Sequence, residues 1–219
     1  MLEAARPDGD IVSARWGVVH LRVAVHGRAA HAGVEPDRGR SAILEAAHKI
    51  VSLHGLNGAH EGVRVNVGHI EGGTRPNVVP DLAVMSIDLR ARNRADQSAA
   101  EQAIRAIARR TTVPGTHASV DVLARHRPME RSGASTRLVE TAVALAAELG
   151  FPLHDAETSG ASDANTIAAL GIPTLDGLGP IGGHWHAAAE YLELGSIVPR
   201  TTLLAGLLLA IGRRAGSQP

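Results

Sequence analysis

The sequence has no cysteine, few aromatic residues and no excess of charge of either sign. The absence of Cys among 219 residues excludes disulfides and thiolate metal ligands, so any metal would be bound by His, Asp or Glu. Twelve His residues make such a site feasible. Lys plus Arg and Asp plus Glu number 22 each, which argues against a basic surface for nucleic acid. The composition therefore favours a small molecule or another protein as the partner.

Long apolar runs are also lacking. The longest, Leu203–Ile211, is interrupted by Gly206 and is much shorter than the roughly 20 residues of a membrane span. Glu3 follows Met1 closely, unlike the start of a signal peptide. We therefore expect a soluble, cytoplasmic chain with no membrane partner. The length and the 44% hydrophobic content allow two small domains, which is our prediction.

In the first half of the chain, segments with an apolar residue at every second position alternate with segments whose apolar residues have helical spacing. Apolar residues recur at every second position in four segments, which predicts strands at 19–25, 63–67, 82–89 and 118–124. Helical spacing predicts a first helix that has Pro36 in its first turn and continues to Val51, and a second helix at 97–110. The order strand, helix, strand, strand, helix, strand predicts a ferredoxin-like unit.

The second half is mixed and less regular. It predicts a helix from Thr136, a short helix at 163–170, a strand at 172–175 and a final helix from about Ser196. This is α/β character without a complete sheet.

One glycine pattern imitates a nucleotide-binding motif. Gly177, Gly179 and Gly182 match GxGxxG, but that motif needs a helix to begin at its third glycine. Here His184 and His186 follow instead, so we predict a tight loop that presents a ligand residue. Taken alone, these two histidines are equally explained as surface residues.

Two polar segments near the end of the chain carry a family resemblance. SGASDAN (Ser159 to Asn165) and GLGPIGGHWHAAAEY (Gly177 to Tyr191) resemble the C-terminal signature of the co-catalytic zinc peptidases and deacylases. That family includes glutamate carboxypeptidase, acetylornithine deacetylase, succinyl-diaminopimelate desuccinylase and aminoacylase. The resemblance implies that His186 is a zinc ligand and that Gly160 contacts the substrate.

Further segments resemble the same family. GRAAHAGVEPDRGRSAI resembles the opening of its dimerisation domain, which implies that His31 reaches the partner's active site and polarises the substrate carbonyl. The resemblance also implies that Asn77 and Arg90 bind substrate, Arg90 through a terminal carboxylate. The start MLEAARPDGDIV resembles a stretch whose glutamate is a zinc ligand, which implies that role for Glu3.

The resemblance defines an expected architecture. It implies an α/β chain in which a βαββαβ dimerisation domain, residues 15–125, is inserted in an incomplete catalytic domain, residues 1–14 and 126–219. The family's HxD motif, bridging aspartate and paired glutamates have no counterpart in this sequence, so only two of five expected ligands, Glu3 and His186, are kept. We therefore expect no turnover from this chain by itself.

The resemblance also implies a chemistry. An intact member would use two zinc ions, or other divalent metals, to hydrolyse amide bonds in peptides or N-acyl amino acids, and it would form a homodimer. The segments are most similar to those of the glutamate carboxypeptidase branch. The alternative is a non-catalytic dimerisation or interaction protein derived from the same family.

Overall fold

The computed structural model describes residues 1–58 and 61–215. These form two compact units, one within residues 17–127 and one of residues 1–16 with 128–215. The strands of the described residues are, in chain order, β1 (Ile11–Arg15), β2 (Gly17–His26), β3 (Ala30–His31), β4 (Val63–Gly72), β5 (Val78–Val79), β6 (Leu82–Ala91), β7 (His117–His126), β8 (Asp155–Thr158), β9 (Gly182–Gly183) and β10 (Tyr191–Leu192). The α-helices are α1 (Ala42–His54), α2 (Arg94–Arg109), α3 (Gly133–Glu148), α4 (Asp163–Ala169) and α5 (Ile197–Ala215). The predicted α/β class is confirmed.

The unit of residues 17–127 is built on an antiparallel sheet with the strand order β4-β6-β2-β7. This order, with α1 and α2 packed on the sheet, is the predicted ferredoxin-like arrangement. In β2, Val19, Leu21 and Val23 are buried while His20 and Arg22 are exposed, as the period of a half-buried strand requires. The largest core side chains come from both layers: Leu21, Leu53, Met85, Ile87, Leu89 and Ile104.

The start of α1 differs from the prediction. Pro36 begins a separate 3-10 helix, Pro36–Arg38, and α1 begins at Ala42. Ser41 caps α1 because its side chain accepts a hydrogen bond from the backbone N–H of Leu44 at 3.1 Å. A proline at the first turn and a serine cap are both valid start signals, and here the serine marks the longer helix.

The second unit has small, separate sheets. Strands β1 and β8 are parallel, and β9 pairs antiparallel with β10. Its core lies where α3 packs against α5, around Ala142, Ala146, Leu203 and Leu207. The predicted strand at 172–175 was wrong: these residues are irregular, and β8, which was not predicted, pairs with β1 instead.

Helix α5 combines a buried and an exposed apolar side. Within Leu194–Arg213 the mean hydropathy reaches 1.7, so by length and composition this segment could cross a membrane. Leu203 is nevertheless buried in the core, and Arg200 is buried with hydrogen bonds to three backbone carbonyls, those of Gly9, Gly177 and Gly179. These contacts are typical of a core helix, although Leu208 and Leu209 remain exposed.

Candidate active-site elements

A two-stranded sheet brings His31 and Asn77 together within the unit of residues 17–127. Strand β3 pairs with β5, with His31 opposite Val78, and the backbone N–H of Ala32 donates to the carbonyl oxygen of Asn77 at 2.9 Å. Both side chains are exposed. The predicted catalytic residue His31 and the predicted substrate residue Asn77, 46 positions apart in the sequence, are therefore neighbours on one surface.

The His31 imidazole is oriented by its own turn. Its Nδ1 accepts hydrogen bonds from the backbone N–H groups of Gly33 at 3.2 Å and Val34 at 3.1 Å. Because both partners are donors, Nδ1 must be the unprotonated nitrogen, and the proton of a neutral ring lies on Nε2. The turn thus presents an N–H donor to the surface, which is what stabilisation of a negatively charged oxygen needs.

Arg90 lies on β6 beside a carboxylate. Asp88 Oδ1 is 2.8 Å from Arg90 Nε, Asp88 Oδ2 is 3.2 Å from Nη2, and His20 Nε2 is 3.3 Å from the same Oδ2. Alternation along β6 places Asp88 and Arg90 on the face opposite the buried Leu89. The pair orients a half-exposed guanidinium on the face of the sheet that is not covered by α1 and α2.

In the second unit, the N-terminal segment runs beside the glycine-rich loop. The backbone N–H of Gly179 donates to the carbonyl oxygen of Glu3 at 2.9 Å, and the N–H of Ala5 donates to that of Pro180 at 3.0 Å. A Cβ on Gly179 would lie 2.7 Å from the carbonyl oxygen of Leu2, so the close approach needs glycine. The predicted ligand Glu3 is thereby fixed next to the loop that precedes His186.

The loop that carries the two histidines has a strained backbone. His184 and His186 have φ angles of 57° and 66°, a region that favours glycine. The Arg6 guanidinium lies 4.6 Å from the ring centre of Trp185, which ties this loop to the N-terminal segment. Such strain, held by its surroundings, is found most often at functional sites.

A buried carboxylate, Asp176, connects these segments. Its Oδ2 accepts hydrogen bonds from Arg15 Nε at 2.9 Å and Ser162 Oγ at 2.6 Å. Its Oδ1 accepts from the backbone N–H groups of Gly177 at 2.8 Å and Glu3 at 3.3 Å. One side chain therefore links the Glu3 segment, the SGASDAN segment and the glycine-rich loop.

The predicted substrate residue Gly160 lies next to this network. Arg15 Nη1 donates to the carbonyl oxygen of Gly160 at 2.8 Å. A Cβ at Gly160 would meet its neighbours only at 3.9 Å, so the structure itself does not require glycine there. Its role in binding substrate stays a prediction.

Two arginines, Arg6 and Arg15, interact with the negative charge of Asp176. Burial lowers the pKa of Arg6, the charge of Arg15 lowers it further, and the carboxylates of Asp176 and Glu3 oppose both effects. The charges of the predicted ligand Glu3 and of the buried carboxylate therefore both act on the pKa of the Arg6 guanidinium.

The donor set does not by itself fit a zinc ion. Within residues 1–58 and 61–215, no group of three or more His, Asp or Glu side chains is placed to hold a metal. Zinc uses three or four protein ligands, and Glu3 and His186 would supply two. We accordingly derive no chemical step through a metal.

Sequence reasoning missed the Arg15 and Asp176 pair. The two residues are 161 positions apart, and no spacing rule connects positions so distant in the sequence. The available signal was indirect: Asp176 stands between the apolar Leu175 and a glycine-rich loop, where a charge is unusual unless it is paired.

Comparison with known proteins identifies similar sequences and folds. Residues 13–116 match the peptidase dimerisation domain of the M20 type. The chain is 29% identical over 199 residues to carboxypeptidase G2 of Pseudomonas sp. strain RS-16, which covers 90% of this chain and 48% of that protein. It is 34% identical over 169 residues to the uncharacterised protein YqjE of Bacillus subtilis, which covers 77% and 45%.

A solved structure supports the same relationship. The aminopeptidase PepT of Bacillus cereus superposes with a TM-score of 0.78 at 27% identity, over 94% of this chain and 55% of that one. The chain thus spans about half the length of the relatives it matches.

Proposed function

We propose that this chain, of which residues 13–116 match the M20 peptidase dimerisation domain, supplies the substrate-binding and dimerisation part of a metal-dependent hydrolase of amide bonds. The proposed substrates are peptides or N-acyl amino acids with a free carboxylate. The observation that carries the proposal is the His31 imidazole, whose Nε2–H is presented by two backbone hydrogen bonds to Nδ1 beside Asn77.

Each residue has a proposed task in the reaction. His31 Nε2–H donates to the substrate carbonyl oxygen as negative charge develops on it. Asn77 contributes a side-chain amide next to His31. Arg90, oriented by Asp88, binds the substrate carboxylate, since a guanidinium offers that group two parallel N–H donors.

Glu3 and His186 are the proposed metal ligands of this chain. Members of the family are metal-dependent peptidases, and zinc is the metal we propose here. The backbone hydrogen bond between Gly179 and Glu3 supports the two ligands acting together, and two ligands do not complete a zinc site by themselves.

We also propose that the protein is a homodimer joined through α1 and β4. Leu44 and Val51 lie on a face of α1 that does not pack against the core, and they are 51% and 75% exposed. Ile70 of β4 is 45% exposed. Strand β4 lies at the edge of its sheet, where backbone groups are available to a second copy.

The dimer can be tested by light scattering on the purified chain. Val51→Lys places a charge in the proposed interface and should shift the dimer to monomer at micromolar concentration. Ala106→Lys, at an exposed position of α2, is the control and should leave the dimer intact. A monomeric wild-type chain would contradict the proposal.

The enzymatic function is tested by joining this chain to the N-terminal part of carboxypeptidase G2. We expect the fusion to release amine from N-acyl amino acids, whereas the 219 residues alone should not. His186→Ala should lower both zinc content and rate, while His184→Ala, in the same loop, should retain zinc.

The substrate assignment has its own readout. Arg90→Ala should mainly raise KM for substrates with a free carboxylate and have little effect on the corresponding amides. A folded, zinc-loaded fusion without turnover would contradict the proposed activity and favour the alternative, a non-catalytic dimerisation protein.

A further inference from the structure

The outer edge of β4 is occupied near its start by a side chain. Asn57 Nδ2 donates to the carbonyl oxygen of Val65 at 2.8 Å, and the backbone N–H of Val65 donates to Asn57 Oδ1 at 2.8 Å. The amide of Asn57 thus makes the two hydrogen bonds that a neighbouring strand would make at Val65. Pairing of β4 with a second chain is therefore restricted to the part of the strand after Val65, which we call the open stretch, residues 67–73.

The opposite edge of the same sheet, β7, is partly covered by α2. Gln97 Nε2 donates to the carbonyl oxygen of His126 at 3.0 Å, and Arg105 Nη1 donates to that of Val120 at 3.4 Å. Contacts of this kind protect a sheet edge against pairing with other chains. The open stretch of β4 is therefore better suited than β7 to accept a strand.

The backbone of Ile70 faces the outer edge. The N–H of Gly73 donates to the carbonyl oxygen of Leu82 in β6, and the backbone groups of an antiparallel strand face its two sides alternately. The bulge of β4 lies between Val67 and His69, so it does not disturb this alternation from Gly73 back to Ile70. Ile70 consequently directs both its N–H and its C=O away from β6.

An apolar surface of α1 adjoins the open stretch. The Cδ1 atom of Ile43 lies 3.3 Å from the position that a Cβ on Gly73 would take, and Ile43 is partly exposed. The Ile70 side chain lies on the same side of the sheet as α1, because its cross-strand neighbour Met85 is in the core. A strand paired to the open stretch would therefore lie next to exposed apolar side chains.

The sequence of the open stretch is complementary to itself. Residues 68–72 read Gly-His-Ile-Glu-Gly, with Ile70 at the centre. Two antiparallel copies related by a two-fold axis at Ile70 would place Ile70 opposite Ile70 and Gly68 opposite Gly72. His69 and Glu71, which share the face of the sheet away from α1, would then lie opposite each other in two copies of one favourable pair. An axis at Glu71 would instead place two carboxylates opposite each other, which is unfavourable.

We propose that two copies of this chain pair antiparallel through residues 67–73, with the two-fold axis at Ile70. The inference rests on the homodimer proposed above and deepens it by fixing the register of the two strands. A second copy is the expected occupant, because residues 13–116 match a peptidase dimerisation domain and the stretch is self-complementary. The two four-stranded sheets join at this edge into one sheet.

Disulfide trapping tests the register, and the chain has no cysteine of its own that could interfere. Two cysteines form a disulfide only when their Cα atoms lie within about 7 Å. Ile70→Cys, on the axis, should give a covalent dimer under mild oxidation. Asn66→Cys, an exposed position of the same strand, is the matched control. It should not cross-link, because eight residues at about 3.3 Å each would separate it from its counterpart by about 26 Å.

A charge exchange tests the pairing of His69 with Glu71. His69→Glu would place two carboxylates opposite each other on both sides of the axis, so the dissociation constant of the dimer should rise by about threefold or more. Adding Glu71→Lys to the same chain restores an attractive pair and should return the constant to within about twofold of wild type. Asn66→Glu, which introduces the same charge on the same strand, should change it less than about twofold. Analytical ultracentrifugation measures these constants, and circular dichroism checks that each variant is folded.

The outcomes separate this proposal from the homodimer itself. A wild-type chain that is monomeric in light scattering would contradict the homodimer. A wild-type dimer that does not cross-link through Ile70→Cys, or that cross-links equally through Asn66→Cys, would overturn the register and leave the homodimer intact. The register would also be wrong if Glu71→Lys failed to restore the dimer weakened by His69→Glu.

Discussion

The two units of the molecule solve the same problem, how to hold charged side chains inside a fold, at very different distances in the sequence. In the unit of residues 17–127, the buried pair is Glu45 and Lys49, one helical turn apart on α1, with Glu45 Oε1 2.7 Å from Lys49 Nζ. In the other unit it is Arg15 and Asp176, separated by 161 positions. The first pair is local, and the second exists only once the unit has folded.

The surroundings of the two pairs differ in the same way. Glu45 also accepts from the backbone N–H groups of Thr112 at 2.9 Å and Val113 at 2.6 Å, which fixes the segment after α2 to α1. Asp176 fixes the segments that carry the predicted site residues Glu3 and Gly160. The local pair therefore stabilises the unit of residues 17–127, and the distant pair positions the segments that carry Glu3 and Gly160.

The largest expected effect is at Asp176. Asp176→Ala leaves the buried Arg15 without its carboxylate partner and removes the acceptor for Ser162 and Glu3, so we expect a loss of about 3–5 kcal/mol in the stability of that unit. Hydrogen exchange should show faster exchange in β1 and β8 and unchanged protection in β2 and β6. Asp8→Ala, an exposed carboxylate, is the control, and equal deprotection of β2 would contradict the comparison.

The second effect concerns Glu45. Burial by itself raises the pKa of Glu45, but the hydrogen bonds from Lys49, Val113 and Thr112 outweigh it and the pKa lies below its ordinary value. Glu45→Gln should cost about 3 kcal/mol at neutral pH, at the low end for a broken buried pair, because the amide oxygen still accepts from the backbone.

The same variant has a pH signature. Since the folded pKa is the lower one, the contribution of Glu45 is complete above its unfolded pKa of about 4.3 and is lost as the pH falls through the folded pKa. Unfolding followed in urea should therefore show the gap between wild type and Glu45→Gln shrinking in acid. Glu35→Gln, which removes the exposed partner of Arg38, should cost less than about 1 kcal/mol at any pH.

The smallest effect compares two serine caps. Ser41 caps α1 through one hydrogen bond, whereas Ser162 caps α4 and also donates to Asp176. Ser41→Ala should cost about 1 kcal/mol and Ser162→Ala about 2.5 kcal/mol, because only the second removes a hydrogen bond to a buried carboxylate. Equal losses, measured by exchange of amides in each helix, would mean that the Asp176 network adds nothing to the cap.

The unit of residues 17–127, which is organised by local contacts, was the part of the structure that the sequence could predict. The alternation of Val19, Leu21 and Val23 was sufficient to predict β2, because a strand with one buried face repeats every two residues. The helical stripe likewise predicted α1 and α2, although Pro36 was placed in the wrong helix. The apolar periodicity of short segments was therefore sufficient to predict the ferredoxin-like unit.

The second unit was harder to predict because its organisation depends on distant contacts. Strand β8 has only four residues and all are half-buried, so it has no alternating pattern. The ion pair of Arg15 with Asp176 and the contact of Arg6 with Trp185 each join residues more than 150 positions apart. The resemblance to a known family selected Glu3, His31, Asn77, Arg90, Gly160 and His186, and their roles stay predictions.

The most direct test of the proposed function mixes two inactive subunits of the fusion with the N-terminal part of carboxypeptidase G2. One subunit carries His31→Ala, which should lower kcat by about 10²–10³ without loss of zinc, and the other carries His186→Ala, which should lose zinc. If His31 acts on the active site of the partner subunit, each heterodimer regains one working site and amine release returns on mixing. Heterodimers that form, as light scattering and mass spectrometry would show, yet remain inactive would contradict the account.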